Sequence, residues 1–298
     1  MYPIIFKIGN FSITSFGVMM FLSFIAGATV LAKQFERRNI QPGLAWDMLA
    51  WIALGGIVGA KLYYIALHIP DLMANPVGEL TNRGGLVWYG GFIGGVLIFW
   101  WQLRKHKLPL GAGFDSTAPA LALAYAVGRM GCFLVGDDYG LPTNKWFGIA
   151  FPNGSPPSTA GYLRSVGGTI PPQVPDWAVV KVYPTQLFEI AAALVMFAIL
   201  WRLSARPRRQ WAMFGAYMVL YGIERFLIEF VRAKGDRYLL GLSTSQVASL
   251  AILFLGTFLW VTRSGEPLAN EVSVVPERVG AAPPQVATAG GAGVAGRR

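Results

Sequence analysis

Several charged side chains stand inside long apolar stretches of this sequence, where a charge is costly to bury. They are Arg129, Glu189, Arg225, Glu229 and Arg232. An ionisable group at the centre of a membrane span costs about 2.5–3.5 kcal/mol even on the lenient insertion scale. A guanidinium stays charged and binds phosphate through paired hydrogen bonds, so arginines here favour a phosphate ligand. The alternative is an ion-pair network that joins helices.

The spacing of these residues predicts that they converge. Arg225 and Glu229 are four residues apart, and Arg225 and Arg232 are seven apart, so all three share one helix face. The span that contains Arg129 and the span that contains Arg225 are expected to run in the same direction. Arg129, Arg225, Glu229 and Arg232 should therefore approach the same membrane surface.

The sequence lacks most other residue patterns that are typical of catalytic sites. His68 and His106 have no partners at metal-ligand spacing, and Cys132 is the only cysteine. The sequence has no phosphate-binding loop and no nucleophile elbow. We therefore expect no metal, no cofactor and an inert thiol at Cys132. The remaining arginines, carboxylates and tyrosines suit the stabilisation of a phosphate leaving group better than covalent catalysis.

The composition predicts a membrane protein. Hydrophobic residues make up 54% of the 298 residues and charged residues only 13%, about half the charged share of a soluble domain. This excludes a disordered chain, and the single cysteine excludes an internal disulfide. The net charge of +10 comes mainly from basic residues between apolar runs, where they orient the chain and contact lipid headgroups. Nucleic acid is not an expected partner.

Seven apolar runs predict an all-α polytopic protein with about seven membrane-spanning helices. Three runs lack charge altogether and four contain a few charges, and each is long enough to cross the hydrocarbon core. The uncharged runs are 8–32, 84–103 and 238–262, and the others are 46–67, 111–135, 185–201 and 211–231.

Charges in the short loops predict the orientation. Basic residues cluster after the first, third and fifth runs, so these loops are expected inside the cell, with the amino terminus outside and the carboxyl terminus inside. Residues 136–182 are rich in Pro, Gly and Ser and are expected to form an outer, periplasmic cap. Residues 1–263 would form one membrane domain. Residues 264–298 would be a disordered cytoplasmic tail.

Four motifs in register resemble one bacterial family, the prolipoprotein diacylglyceryl transferases. The first is Gly128-Arg129-Met130-Gly131-x-Phe133, followed by Gly136-Asp137-x-Tyr139-Gly140. The others are the glycine-rich 84–95 segment, Tyr183-Pro184-Thr185-Gln186-Leu187-Phe188-Glu189, and Arg225-Phe226-x-x-Glu229-Phe230-x-Arg232. The resemblance extends over about residues 10–262.

The resemblance implies an enzyme of the bacterial inner membrane. Its substrates would be phosphatidylglycerol and the signal peptides of preprolipoproteins. The diacylglyceryl group would pass to a cysteine thiol, forming a thioether and releasing glycerol phosphate.

The same resemblance implies roles for individual residues. Arg129 and Arg225 would hold the phosphate, and Asp137 and Glu229 would orient those arginines. Gly90 and Gly140 would let backbone approach the lipid or peptide. Glu189 and Arg232 would belong to the same substrate-binding site.

The sequence departs from the family pattern where thiol activation is concerned. Tyr89 and Tyr183 stand at family histidine positions, and Cys132 stands at an asparagine position. Tyr89 would either act catalytically, through a hydrogen bond or a lowered pKa, or pack at the membrane interface. A divergent member with altered or lost transfer therefore remains an alternative. A transporter of an anionic ligand, with arginines lining a path, is a further alternative.

Overall fold

The computed structural model describes residues 3–9, 11–81, 85–206, 208–233, 237–239 and 241–263. The tail predicted at 264–298 lies outside the described residues, as does Gly84 at the start of the glycine-rich motif.

Helices dominate the described part of the chain, and each of the seven predicted spans overlaps one long helix. The long helices are α1 Ser15–Arg37, α2 Gly43–Leu67, α5 Trp88–Lys105, α6 Leu110–Val135, α8 Thr185–Leu203, α9 Ala212–Ile228 and α10 Thr244–Arg263. Short helices lie between them: α3 Ile69–Ala74, α4 Pro76–Thr81 and α7 Ala160–Ser165. In the described part of the chain, α1, α2, α6, α8 and α10 are long and apolar enough to cross a membrane. The chain is therefore a multi-pass membrane protein.

Short antiparallel strand pairs connect the helices. Their bounds are β1 Ile4–Ile8 with β2 Phe11–Thr14, β3 Ile149–Ala150 with β4 Lys181–Val182, and β5 Arg237–Leu239 with β6 Leu242–Ser243. The first pair leads directly into α1, which Thr14 caps by accepting a hydrogen bond from the Gly17 amide at 3.1 Å.

The helices pack in neighbouring pairs around α6. Helix α6 contacts α1 on one side and α8 and α9 on the other, while α9 also packs along α10. Because α8 runs opposite to α6 and α9, the amino-terminal end of α8 meets the carboxyl-terminal ends of the other two. This arrangement brings residues near 129, 189 and 229 to one end of the bundle.

Helices α2 and α5 form a separate close crossing through glycines. Gly55 and Gly59 of α2 face Gly90 and Gly94 of α5, and a Cβ atom at either Gly59 or Gly90 would overlap the other's carbonyl oxygen. The close approach of α2 and α5 therefore depends on these glycines.

Residues 136–182 fold into a small cap with its own apolar cluster. Tyr139, Phe151, Leu163 and Val182 are buried together, and Ala233 from the segment after α9 joins them. The cluster ties the cap to the ends of the helices, so the turn after α6 has a defined position.

Candidate functional site

Six charged side chains meet where α6, α8 and α9 come together at one end of the bundle. Three are arginines and three are carboxylates, and they alternate so that each contacts two groups of opposite charge. We call this set the arginine–carboxylate ring. Its members in order are Arg129, Glu189, Arg225, Glu229, Arg232 and Asp138.

Glu189 joins the two arginines that come from separate helices. Its Oε2 atom pairs with Nη2 of Arg129, and its Oε1 atom lies 3.6 Å from Nη1 of Arg225. The Nη2 atom of Arg225 also lies 2.9 Å from Oε2 of Glu229, one helical turn further along α9. The Glu189 side chain has no exposed surface, so it contacts both guanidinium groups from the buried side of the ring.

Asp138 closes the ring from the turn after α6. Its Oδ2 atom lies 2.9 Å from Nη1 of Arg129, and its Oδ1 atom lies 2.6 Å from Nη2 of Arg232. Arg232 also approaches Glu229 at 3.9 Å. Asp138 is 37% exposed, whereas the Arg232 and Glu229 side chains are almost fully buried. The ring is therefore open to its surroundings chiefly at Asp138.

The charges of the ring balance, but its hydrogen bonds are incomplete. Among the described residues, Nε of Arg129 and Nε of Arg232 are buried without a hydrogen-bond partner, while the Glu189 oxygens have only guanidinium groups as partners. Nη1 of Arg225 is also buried and has no hydrogen-bond partner among these residues. Buried polar atoms of native proteins are normally hydrogen-bonded, so each exception needs an explanation. A ring with spare donors is able to accept an anionic ligand.

The first turn of α8 positions the loop that carries Asp138. The Thr185 hydroxyl donates to the Asp138 carbonyl at 2.7 Å, and the Gln186 amide donates to the Asp137 carbonyl at 2.5 Å. Thr185, Gln186 and Glu189 are all fully buried. Helix α8 therefore fixes the backbone of the loop and supplies a charge to the ring.

Backbone pairing fixes the loop on its other side. The Gly140 amide donates to the Tyr183 carbonyl at 2.8 Å, and the Leu141 amide donates to the Val231 carbonyl at 2.8 Å. Gly140 also forms an isolated bridge with Arg232. A Cβ atom at Gly140 would overlap the Val231 carbonyl oxygen, so only glycine fits. Gly140 thus has a packing role here, and its approach to substrate stays a prediction.

The structure brings together most of the charged residues that the sequence predicted. Arg129, Arg225, Glu189, Glu229 and Arg232 are all members of the ring.

Among the described residues, Asp138 makes the ion pairs with Arg129 and Arg232, and the orienting role of its neighbour Asp137 stays a prediction. Asp138 has a left-handed backbone conformation with φ +56° and follows Gly136 at φ +74°. This turn directs Asp138 into the ring. The Oδ1 atom of Asp137 is buried without a hydrogen bond. Burial raises the pKa of the Asp137 carboxyl, and the nearby Asp138 charge raises it further.

Gly90 and Tyr89 do not contact the ring through any interaction of the described residues. Gly90 packs against Gly59 in the crossing of α2 and α5, which accounts for its lack of a side chain. Tyr89 is 63% exposed, and its ring lies edge-on to Trp88 at 5.3 Å, while Trp88 stacks on Phe92. Of the two predicted roles of Tyr89, this environment favours packing at the membrane interface.

Four residues of the site were missed by reasoning from the sequence. They are Asp138, Thr185, Gln186 and Ser243, whose hydroxyl donates to Oε1 of Glu229 at 3.2 Å. Thr185 and Gln186 belong to the motif that ends at Glu189, but they are uncharged, and the sequence analysis selected charged residues. Ser243 was invisible because its contact joins the start of α10 to the end of α9.

A cation site near the ring is not supported. Cys132, Asp137 and Asp138 each place one potential ligand atom within 4.8 Å of the others. However, both oxygens of Asp138 are paired with arginines, and Nη1 of Arg129 lies 3.4 Å from Sγ of Cys132. Positive guanidinium groups repel a cation, so the donor set does not fit one.

Comparison with known proteins assigns the chain to a family. The family model for prolipoprotein diacylglyceryl transferase matches residues 3–262, nearly the whole described chain. The chain belongs to the prolipoprotein diacylglyceryl transferase family. A curated relative from Clostridium tetani (strain Massachusetts / E88), named phosphatidylglycerol--prolipoprotein diacylglyceryl transferase, is 30% identical over 87% of this chain and 97% of its own length.

Two further relatives of the same name come from Stenotrophomonas maltophilia (strain R551-3) and Xylella fastidiosa (strain 9a5c). The first is 30% identical over 89% of this chain and 93% of its own length. The second is 31% identical over 91% of this chain and 95% of its own length. The predicted family is confirmed, and in this transferase-family chain the arginine–carboxylate ring lies where the ends of α6 and α9 meet the start of α8.

Proposed function

We propose that this chain transfers the diacylglyceryl group of phosphatidylglycerol to the cysteine thiol of a preprolipoprotein signal peptide. The reaction would take place in the bacterial inner membrane and release glycerol phosphate. The observation that carries the proposal is that Arg129 and Arg225, from separate helices, meet on one buried carboxylate, Glu189.

A phosphodiester fits this pair of arginines. The headgroup phosphate has two unesterified oxygens, and each guanidinium can donate paired hydrogen bonds to them. Asp138 is the most exposed carboxylate of the ring, and its pairing with Arg129 is the contact that a phosphate would replace most easily. Glu189 and Glu229 would stay in place and keep Arg225 aligned.

The arginines would stabilise the charge that develops as the ester bond breaks. The thiolate sulfur attacks the glyceryl carbon next to the phosphate, a C–S bond forms and the C–O bond breaks. The phosphodiester monoanion becomes a phosphomonoester dianion, so one negative charge is added at the phosphate. Each charge-assisted contact that strengthens in the transition state contributes about 1.5–3 kcal/mol, or one to two powers of ten in rate.

The remaining predicted residues would support this phosphate site. Glu229 and Arg232 would hold Arg225 and Asp138 in register, and Gly140 would keep the loop after α6 close to the end of α9. The charges in the short loops support an arrangement of seven spans with this end of the bundle at the outer surface. Phosphatidylglycerol in the outer leaflet would then reach the ring laterally.

A transfer assay tests the proposal. Purified protein is mixed with phosphatidylglycerol vesicles and a peptide that contains a lipobox cysteine, and the peptide is analysed by mass spectrometry. We expect a diacylglyceryl thioether on the cysteine and release of glycerol phosphate. A peptide with serine in place of cysteine is the matched control. Unmodified cysteine peptide, under conditions where a relative transfers lipid, would refute the proposal.

A second candidate is a divergent member with altered or lost transfer. The observation that favours it is the tyrosine at position 89, where the resemblance leads us to expect a histidine. Complementation of a bacterial strain depleted of its own transferase separates the two candidates, because growth of the complemented strain eliminates the inactive version.

A further inference from the structure

Glu224 is a buried carboxylate that the ring does not use. It lies on α9 immediately before Arg225, and both of its carboxylate oxygens are inaccessible to water. Among the described residues, neither oxygen has a hydrogen-bond partner, and the side chain makes no ion pair. Glu189 and Glu229, by contrast, are each paired with arginines.

The surroundings of Glu224 place it beside the ring. Tyr217 and Tyr221 precede it by seven and three residues and share its side of α9. The ring of Tyr221 lies edge-on to Tyr125 of α6 at 5.7 Å, and the Arg129 guanidinium lies 6.0 Å from the centre of the Tyr125 ring. The charges close enough to act on Glu224 are Glu189, Arg225, Arg129 and Arg232.

An unpartnered carboxylate at this position has no structural benefit. Burying a carboxylate without hydrogen bonds costs several kcal/mol, and an aliphatic side chain would fill the same space on α9 at no such cost. The buried Glu224 carboxylate lowers the stability of the free protein. Its presence is explained if the substrate supplies the missing hydrogen-bond donor. The missing partner must be a donor, because a carboxylate only accepts hydrogen bonds.

We propose that Glu224 is the general base that accepts the proton of the peptide thiol. This inference rests on the proposed function. The S–H proton moves to the Glu224 carboxylate, the sulfur attacks the glyceryl carbon, and the C–O bond electrons leave with the glycerol phosphate. The carboxylate and the phosphodiester start with one negative charge each. They end as a neutral carboxylic acid and a phosphomonoester dianion, so the charge balances.

The tyrosine at position 89, the two histidines and the carboxylates of the ring fit this task less well. Tyr89 is exposed, and its phenol is a weaker candidate than a carboxylate for taking a proton at neutral pH. The Nδ1 atom of His68 lies 3.0 Å from the Tyr64 carbonyl, and its ring stacks on that tyrosine. His106 lies at the opposite end of α5 from Tyr89. The three carboxylates of the ring are already paired with arginines.

The variant Glu224→Gln tests this assignment, with Glu36→Gln as the matched control because Glu36 is exposed and distant from the ring. We expect Glu224→Gln to lower the transfer rate at pH 7 at least about 100-fold, the usual contribution of a general base. Binding of phosphatidylglycerol vesicles and the melting temperature should match those of Glu36→Gln. The deficit should shrink as the pH rises past about 8.5, where a cysteine thiol ionises without help.

The outcomes separate this inference from the proposed function. Absence of transfer by the wild-type protein refutes the proposed function itself. Transfer by the wild type together with near-normal transfer by Glu224→Gln refutes only the general base. A deficit that is equal at all pH values, or that comes with lost lipid binding, assigns Glu224 a structural role and also refutes the inference.

Discussion

The two ends of the helical bundle bury charge in different ways. Where α6 and α9 begin, Asp115 is 1% exposed and accepts hydrogen bonds from the Trp211 and Phe214 amides at 2.9 and 2.8 Å. It thereby caps the first turn of α9 from another helix. Where α6 and α9 end, the arginine–carboxylate ring pairs side chains with one another and leaves several buried atoms without hydrogen bonds.

The comparison separates a charge that caps a helix from the charges of the proposed phosphate site. Asp115 bonds to backbone amides, which no ligand can replace without unwinding the start of α9. The ring contains charges whose partners are other side chains, and a phosphate can take the place of one of these carboxylates. Asp115 therefore stabilises the start of α9, and the mutually paired charges of the ring form the proposed phosphate site.

Among the variants that test this comparison of the two ends, the largest expected effect falls on the ring. Arg129→Ala and Arg225→Ala should each lower the transfer rate at least about tenfold, because each removes a charge-assisted contact to the phosphate. The measurement is the initial rate of peptide lipidation at equal amounts of membrane-inserted protein. Arg164→Ala in the cap, where Arg164 pairs with Asp176, is the matched control. Near wild-type rates for both ring variants would refute the phosphate assignment.

At the opposite end, Asp115→Ala should affect stability more than chemistry. It leaves two buried amides without an acceptor and removes a helix cap, which together cost about 1–3 kcal/mol. We expect a lower melting temperature in detergent, with the transfer rate per folded molecule close to wild type. Asp47→Ala, which removes an exposed carboxylate, is the control. A selective loss of transfer without a change in melting temperature would contradict the structural role assigned to Asp115.

A smaller effect should distinguish the two adjacent aspartates after α6. Asp138→Asn breaks ion pairs to Arg129 and Arg232, so it should lower the melting temperature by a few degrees. Asp137→Asn removes a carboxyl whose pKa is raised by burial, and it should change the melting temperature less. If Asp137→Asn is the more damaging substitution, the geometry of the turn has been assigned wrongly.

The smallest effect is expected at Tyr89. Because Tyr89 is exposed beside Trp88, Tyr89→Phe should retain most of the transfer activity at all pH values. The comparison is with Tyr63→Phe on α2, another exposed tyrosine. A drop of tenfold or more at Tyr89 alone would instead assign its hydroxyl to catalysis.

The sequence by itself determined the helical membrane architecture and most of the charged site. Apolar runs are local properties, so they located the long helices. Helical spacing predicted that Arg225, Glu229 and Arg232 lie close together, but α9 ends at Ile228, and Arg232 lies beyond it in a bridge with Gly140. The family motifs then indicated that Arg129 and Glu189 belong with them, and all five residues meet in the ring.

The tertiary structure alone decided which neighbours act and which only pack. Two left-handed residues in the turn after α6 select Asp138 over Asp137, and this depends on contacts with α8 that are distant in sequence. The close crossing with α2 explains Gly90 through packing. Glu224 stands out because, among the described residues, neither of its buried carboxylate oxygens has a hydrogen-bond partner, and a sequence does not show whether a side chain has a partner.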